Sequence, residues 1–146
     1  MNVHFSNNSD EWSTPSDFMD SLGIRFDLDV CANYQNAKCF SYFTREQNGL
    51  KMKWDSELIW CNPPYSDIKS WIKKAYEESQ KSKYLTVVML VPARTDTKWW
   101  HEYASKGIIY AAMNPETFFA FLQLFEKVVR STEETKMKID CFGLRY

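Results

Sequence analysis

The sequence predicts one α/β domain in which helices flank a mostly parallel β-sheet, and three stretches lead to this expectation. Residues 84–91 form an almost unbroken apolar run rich in β-branched side chains, which is typical of a strand buried on both faces of a parallel sheet. Residues 58–61 form a second apolar run. Between the two runs, residues 66–80 have the apolar spacing of an amphipathic helix. Alternation of strands and helices in this way is characteristic of α/β folds.

The N-terminal part of the chain predicts a short helix and two further strands. Thr14 is suited to the N-cap of the helix, Pro15 to its first position, and Gly23 to its end. Residues 24–30 alternate apolar and polar side chains, which predicts a strand. Residues 42–50 predict another strand and the loop that follows it.

The C-terminal part predicts two more strands and one helix. Residues 107–113 have the character of a strand. An apolar, aromatic stretch over residues 117–130 predicts a helix, and a charged linker at 131–135 separates it from an alternating strand at 136–144.

Length and composition fit a soluble globular protein of the cytoplasm. The 146 residues, 45% of them hydrophobic, suffice for one proper core. Residues 1–11 are polar and lack the apolar core of a signal peptide, and no apolar run approaches the ~20 residues that span a bilayer. The four cysteines and two histidines lack the paired spacing of zinc sites, so we expect no metal.

Charge is spread unevenly, although the formal net charge is only -1. Residues 1–50 carry three basic and seven acidic side chains, whereas residues 66–106 carry eight basic and five acidic ones. Positive charge therefore gathers just after residues 62–65, where a phosphate backbone would lie if those residues receive a nucleic-acid base.

The stretch Asn62-Pro63-Pro64-Tyr65 lies between the apolar run 58–61 and the amphipathic helix. The two prolines fix φ near about -65° and remove two backbone donors, so the turn presents oxygen acceptors and an aromatic ring from a stiff frame. The Asn62 amide oxygen and the Pro63 carbonyl could accept both hydrogens of an amine on a planar ring, while Tyr65 stacks on that ring. The same residues also fit a proline-stiffened turn with a packed tyrosine.

The tetrapeptide resembles the catalytic motif Asp/Asn/Ser-Pro-Pro-Tyr/Phe of amino-methyltransferases that use S-adenosylmethionine (SAM). Six blocks in order extend this resemblance to the phage DNA N6-adenine methyltransferase family over roughly residues 10–106. They are Asp-Glu-Trp-Ser-Thr-Pro (10–15), Leu-Asp-Val-Cys-Ala (28–32), Asn-Ala-Lys-Cys (36–39), Tyr-Phe-Thr-Arg-Glu-Gln-Asn-Gly-Leu (42–50), Trp-Cys-Asn-Pro-Pro-Tyr-Ser (60–66) and Leu-Val-Pro-Ala-Arg-Thr-Asp-Thr-Lys-Trp (90–99).

The resemblance implies a Rossmann-like, SAM-dependent methyltransferase sheet, SAM as cofactor, and duplex DNA with a flipped adenine as substrate. It assigns catalysis to residues of the proline turn, namely Asn62, Pro63, Pro64 and Tyr65. It assigns the cofactor to residues from three of the other blocks, namely Trp12, Thr14, Pro15, Asp29, Cys31, Ala32 and Asn48. The chain departs from the pattern in two ways: the loop after the first strand has no glycine, and Asn48 stands where an acid is expected.

Three residues after the buried strand 84–91 are candidates for nucleic-acid binding, because α/β sheets bind ligands at the carboxyl ends of their strands. Arg94 and Lys98 are suited to contacts with DNA phosphates. Thr95 joins them in this prediction, although Thr95 or Thr97 equally fits a helix cap.

The resemblance divides the single domain, residues 1–146, into a family-like part at 1–113 and a divergent tail at 114–146. The favoured hypothesis is site-specific methyl transfer from SAM to adenine N6 of duplex DNA, in the host cytoplasm if the protein is phage-encoded. One alternative is a non-catalytic methyltransferase-like protein that binds SAM or interferes with a host defence protein. Another retains the chemistry but directs it to RNA or to a glutamine amide.

Overall fold

A computed structural model describes residues 13–111 and 138–141 of the chain. The helix predicted over 117–130 and the linker at 131–135 lie outside these residues. The described residues form an α/β fold with a parallel sheet. Its strands are β1 (Leu28–Asp29), β2 (Leu58–Cys61), β3 (Thr86–Val91), β4 (Ile108–Ala111) and β5 (Lys138–Cys141), and its helices are α1 (Ser16–Leu22), α2 (Ile68–Ser79) and α3 (Lys98–Glu102).

The strands follow the spatial order β1-β2-β3-β5-β4, and each neighbouring pair is parallel. The last strand along the chain, β5, therefore lies inside the sheet between β3 and β4. The strands predicted over 107–113 and 136–144 are confirmed with shorter bounds. The C-terminal segment thus supplies an internal strand to the sheet that the rest of the chain builds.

Two of the strand predictions were too long. Over residues 24–30 burial alternates only up to residue 28, with Phe26 buried and Asp27 exposed; residues 28–30 are all buried, and only Leu28–Asp29 form a strand. Over residues 42–50 only Tyr42 pairs, in an isolated bridge with Asp29. The chain then turns, since the N–H of Asn48 donates to the Thr44 carbonyl at 3.0 Å and Asn48 has a left-handed φ of 55°.

Helix α1 begins differently from the sequence prediction. Pro15 occupies the N-cap position, and the helix has no side-chain cap. Thr14 as the N-cap was therefore wrong, because its hydroxyl is engaged elsewhere, with Asn62. The predicted end is confirmed: Gly23 has φ 61°, and its N–H donates to the Asp20 carbonyl at 3.1 Å.

Both faces of the sheet are covered, as the sequence of the central strands predicts. Alternate residues of β2 and β3 enter two different hydrophobic clusters: Ile59 and Val87 join the α2 and α3 side, whereas Trp60 and Val88 join the α1 side. Helix α2 buries an apolar face of Ile68, Trp71, Ile72 and Ala75 against the first cluster. The predicted helix at 66–80 is confirmed, preceded by a 3₁₀ turn at Tyr65–Asp67.

A buried charge anchors the C-terminal end of α2. An oxygen of Glu78 accepts hydrogen bonds from the ammonium groups of Lys74 at 2.6 Å and Lys81 at 2.7 Å. Burial acts to raise the pKa of Glu78, but the two ammonium groups outweigh it and hold that pKa below its ordinary value. Because folding lowers this pKa, the stabilisation is present at neutral pH and is lost as the pH falls through the folded pKa.

We expect Glu78→Ala to lower the free energy of unfolding by about 2 kcal/mol at pH 7, because it leaves the Lys74 ammonium group, which is mostly buried, without its carboxylate. Urea denaturation measures this change. Glu77→Ala is the matched control, since Glu77 is half-exposed and lies 3.7 Å from Lys73, and should cost less than about 0.5 kcal/mol. Equal costs for the two variants would contradict the role given to Glu78.

Candidate functional site

A cavity of about 380 Å³ opens at the carboxyl ends of β1 and β2. Its lining mixes acidic, basic, amide and aromatic side chains from four segments of the chain. The lining residues are Ser13, Thr14, Asp29, Val30, Cys31, Ala32, Asn33, Asn36, Lys38, Phe43, Thr44, Arg45, Asn48, Gly49, Leu50, Trp60, Asn62, Pro64, Ser66, Asp67 and Trp71. The volume is in the range of about 300–1,000 Å³ that is usual for small-molecule sites.

The cavity lies at the point in the sheet where the connections between successive strands change direction. Asp29 directs its backbone N–H and C=O to residues 41–43, whereas the next residue, Val30, donates its N–H to Trp60 at 3.1 Å. The segment 41–43 is therefore on the side of β1 away from β2. After β1 the chain passes through residues 41–43 on one side of β1 and then forms β2 on its other side. The strand order therefore reverses direction at β1 and β2, which is a topological switch point. Open α/β sheets bind ligands in the crevice at such a point.

Asp29, at the end of β1, is a buried carboxylate in this cavity and only 2% exposed. Its two oxygens accept hydrogen bonds from the N–H of Cys31 at 3.2 Å and the N–H of Lys38 at 3.0 Å. Burial raises the pKa of Asp29 to about 6, although these backbone hydrogen bonds and the Lys38 charge act to lower it. Folding therefore favours the protonated acid, a contribution that is full below about pH 3.8 and lost as the pH rises through about 6.

A charged Asp29 at neutral pH is thus a destabilising feature in a concave site. Perturbed carboxyl groups in clefts are more frequent at functional sites than elsewhere. Asp29 thus lines the cavity, and its role in holding a cofactor stays a prediction.

Asn62, directly after β2, is held by a hydrogen bond to another lining residue, Thr14. Its side-chain nitrogen donates a hydrogen bond to the hydroxyl of Thr14 at 3.0 Å. Thr14 is only 3% exposed and precedes α1. The bond places the amide nitrogen toward Thr14, so the amide oxygen of Asn62 is directed away from it.

The other residues of the proline turn divide between the cavity and the surface. Pro64 lines the cavity, whereas Pro63 is buried beside it. Tyr65 begins the 3₁₀ turn and is 36% exposed, without lining the cavity. The turn therefore brings Asn62 and Pro64 to the cavity and leaves the Tyr65 ring at the surface.

Tight packing around Gly49 joins the two sides of the site. A side chain at this position would collide with the Val30 carbonyl oxygen and would lie 3.0 Å from the Trp71 ring. The Gly49 carbonyl accepts a hydrogen bond from the Trp54 indole at 2.8 Å, and the Trp54 and Trp71 rings stack at 6.4 Å. The loop at 44–50 can therefore close on the end of β1 only with glycine here.

Most of the predicted cofactor-binding residues meet in the cavity. Its lining includes Thr14, Asp29, Cys31, Ala32 and Asn48. The Asn48 side-chain oxygen accepts a hydrogen bond from the Leu50 N–H at 3.2 Å, which stabilises the turn at 48–50. Pro15 is exposed and does not line the cavity, and Trp12 lies outside the described residues.

The three candidates for nucleic-acid binding lie apart from the cavity lining. Arg94, Thr95 and Lys98 are exposed in the connection from β3 to α3 and at the start of α3. Thr97 occupies the predicted N-cap position of α3, but its hydroxyl donates to the Arg94 carbonyl at 2.8 Å and makes no capping hydrogen bond to the helix. Their role in DNA binding stays a prediction.

Several lining residues carried no assignment from the sequence. Lys38, Phe43, Thr44 and Arg45 belong to blocks shared with the methyltransferase pattern, but no chemical motif singles them out. Trp71 belongs to the buried face of α2, and it both packs in the core and lines the cavity. Position within a shared block was the only signal that could have found the first four.

Two further findings concern the described residues only. No group of histidine, cysteine and acidic side chains in residues 13–107 is arranged to hold a metal ion. No helix in the part of the chain that the structure describes is long and apolar enough to cross a membrane.

Comparison with known proteins identifies the family. The sequence model of the DNA N-6-adenine-methyltransferase (Dam) family matches residues 3–123. The chain belongs to this family. The Dam match ends inside residues 114–146, which were predicted to be a divergent tail. The division of the chain at residue 113 stays a prediction.

Two phage proteins, both named DNA N-6-adenine-methyltransferase, are similar to the chain. The protein of Escherichia phage T1 is 34% identical over 97 residues, which cover 64% of this chain and 40% of the relative. The protein of Haemophilus phage HP1 (strain HP1c1) is 37% identical over 91 residues, which cover 61% of this chain and 52% of the relative. The matched regions thus span about half of these relatives or less. No solved structure matches the chain significantly.

Proposed function

We propose that this chain transfers a methyl group from SAM to N6 of adenine in duplex DNA, at specific sites. Membership of the Dam family and the names of its phage relatives support adenine as the target. The observation that carries the proposal is the cavity that joins the end of β1, at Asp29, to the Asn62 amide after β2. One site can thereby hold a methyl donor beside a group that grips an amine.

The residues present fit such a donor. The cavity has the volume of a small-molecule site, a buried carboxylate at Asp29 and apolar or aromatic side chains at Phe43, Leu50 and Trp71. Asp29, with Cys31 and Ala32, would hold the donor at the end of β1. Bound SAM supplies an activated methyl group, so the protein itself needs no covalent intermediate.

The proline turn would present the target amine to that methyl group. The Asn62 side-chain oxygen and the Pro63 carbonyl, which lies beside the cavity, would accept the two hydrogens of the adenine amino group. Tyr65, whose ring lies at the surface outside the cavity lining, would stack on the part of the flipped base that extends beyond that lining. Thr14 contributes by fixing the orientation of the Asn62 amide. Catalysis of this kind depends on positioning and on preorganised dipoles. Unstacking the base costs roughly a few kcal/mol, which stacking and edge contacts in the pocket would offset.

Asp29 makes donor binding dependent on pH. If its charged form holds the donor, the affinity for S-adenosylhomocysteine, the demethylated product, is expected to fall about tenfold between pH 7.5 and 5, because the pKa of Asp29 is about 6. Calorimetric titration across this range measures the change. In Asp29→Asn the affinity should vary little with pH, and the same pH dependence in both proteins would rule out this role.

The function is tested by incubating the protein with methyl-labelled SAM and, separately, unmethylated DNA, RNA or protein. Label on DNA is the expected result. Label on RNA or on a glutamine amide would retain the chemistry and overturn the substrate. SAM binding without transfer to any of them would identify the chain as a non-catalytic member of the family.

A further inference from the structure

Two aromatic rings project into solvent beside the cavity. Phe40 is fully exposed and Tyr34 is 89% exposed, and both belong to residues 33–41, here called the aromatic loop. Single exposed apolar side chains are common and need no explanation. These two, however, share a short loop with Asn36 and Lys38, which line the cavity. The aromatic loop therefore contributes to the cavity wall, and the same short segment carries the two exposed rings.

Hydrogen bonds hold the aromatic loop in place. The Asn33 N–H donates to the Asn36 side-chain oxygen at 2.7 Å, and the Asn33 side-chain oxygen accepts from the Gln35 N–H at 2.8 Å. Asp29 fixes the second half, because it accepts from the Lys38 N–H at 3.0 Å and donates its own N–H to the Ser41 carbonyl at 3.0 Å. A ligand that meets these rings therefore need not first order the loop, which lowers the cost of binding.

The charge of this region suits a polyanion. Residues 30–45 contain two basic side chains, Lys38 and Arg45, and no acidic one, whereas residues 13–29 contain four acidic side chains and one basic one. The aromatic loop itself thus carries a net positive charge, although burial, together with the nearby carboxylates of Asp29 and Asp27, raises the pKa of Cys39 within it. Exposed aromatic rings together with positive charge are the combination with which proteins bind unstacked nucleic-acid bases.

We propose that the aromatic loop is a DNA-binding element in which Phe40 and Tyr34 stack on bases next to the target nucleotide. This inference rests on the proposed function, because removal of a base from the duplex exposes the faces of its neighbours. An apolar side chain that inserts between base steps stabilises such an opened duplex. The aromatic loop would thereby help to keep the target base in the cavity.

The test compares Phe40→Ala with Tyr84→Ala by fluorescence anisotropy on a duplex oligonucleotide at several salt concentrations. Tyr84 is the matched control because it is 68% exposed but precedes β3. It therefore lies at the amino end of that strand, whereas the cavity lies at the carboxyl ends of β1 and β2. We expect Phe40→Ala to weaken DNA binding about tenfold, and Tyr84→Ala to change it by less than about twofold. Phe40→Ala should leave the slope of log binding constant against log salt concentration unchanged. Arg45→Gln should reduce the magnitude of that slope by about one.

Phe40→Tyr, which keeps a ring, should retain the affinity, and affinity for S-adenosylhomocysteine should be the same in all Phe40 variants. If the wild-type protein methylates and binds DNA while Phe40→Ala changes DNA affinity no more than Tyr84→Ala does, the inference about the aromatic loop is wrong and the proposed function still holds. If the wild-type protein neither binds nor methylates DNA, the proposed function fails with it. If Phe40→Ala dissociates an oligomer and leaves DNA affinity intact, the aromatic loop is a self-association surface and the inference is wrong.

Discussion

Asn62→Ala is expected to lower the rate of methyl transfer to DNA by about 10²-fold or more, because it removes an acceptor for the target amine that is preorganised for the transition state. Asn62 sits after β2 and is oriented across the cavity by Thr14 at 3.0 Å. Affinity for S-adenosylhomocysteine should persist, since Asp29 and the loop after β1 remain. Single-turnover kinetics with saturating donor separate the chemical step from binding.

Thr14→Val is the companion variant, with a shape similar to threonine and no hydroxyl. It should lower the single-turnover rate less than Asn62→Ala does, because the amide remains but is no longer fixed. Thr14→Ser, which keeps the hydroxyl, should recover most of the rate. An Asn62→Ala protein that methylates DNA at the wild-type rate would remove the mechanism.

Gly49→Ala is expected to lower the free energy of unfolding by about 3 kcal/mol and to abolish donor binding. A methyl group at this position collides with the Val30 carbonyl oxygen, which belongs to rigid backbone at the end of β1. The loop at 44–50 would have to move away, and the hydrogen bond from the Trp54 indole to the Gly49 carbonyl would be strained. Urea denaturation and calorimetric titration measure the two effects.

Gly23→Ala provides the contrast. Gly23 has a left-handed φ of 61°, but a side chain there meets nothing within 4 Å. The cost should be about 1 kcal/mol from backbone strain alone, with donor binding retained. Near-wild-type stability and donor binding in Gly49→Ala would contradict the tight closure of the loop on β1.

The sequence predicted the parts of the fold that have a repeating pattern. The apolar run that ends at Val91 and the amphipathic helix containing Trp71 were confirmed, because burial on both faces leaves an unbroken apolar run and burial of one helix face leaves a helical period. Residues 42–50 were harder to assign, since single bridges and turns leave no such pattern. Thr14 illustrates another limit: a threonine before a helix predicts a cap, and only the folded chain shows its hydroxyl bonded to Asn62, far away in sequence.

The same distinction applies to the site. Asn62 and Asp29 could be predicted to lie at the cavity because Asp29 ends one strand, Asn62 follows another, and each belongs to a short motif with a chemical meaning. Lys38 lines the cavity because the loop between β1 and Tyr42 folds back onto the Asp29 carboxylate, and Arg45 lines it because residues 42–43 run beside Asp29. The exposure of Phe40 was equally invisible, since a phenylalanine in a sequence predicts burial.

The central claim is that the Asn62 turn receives the amino group of adenine next to a methyl donor. Nucleoside mass spectrometry of DNA that has been incubated with the protein and SAM tests it most directly. The account predicts N6-methyldeoxyadenosine with the wild-type chain and about 10²-fold less with Asn62→Ala. Methylation of cytosine alone, or equal adenine methylation by the two proteins, would contradict it.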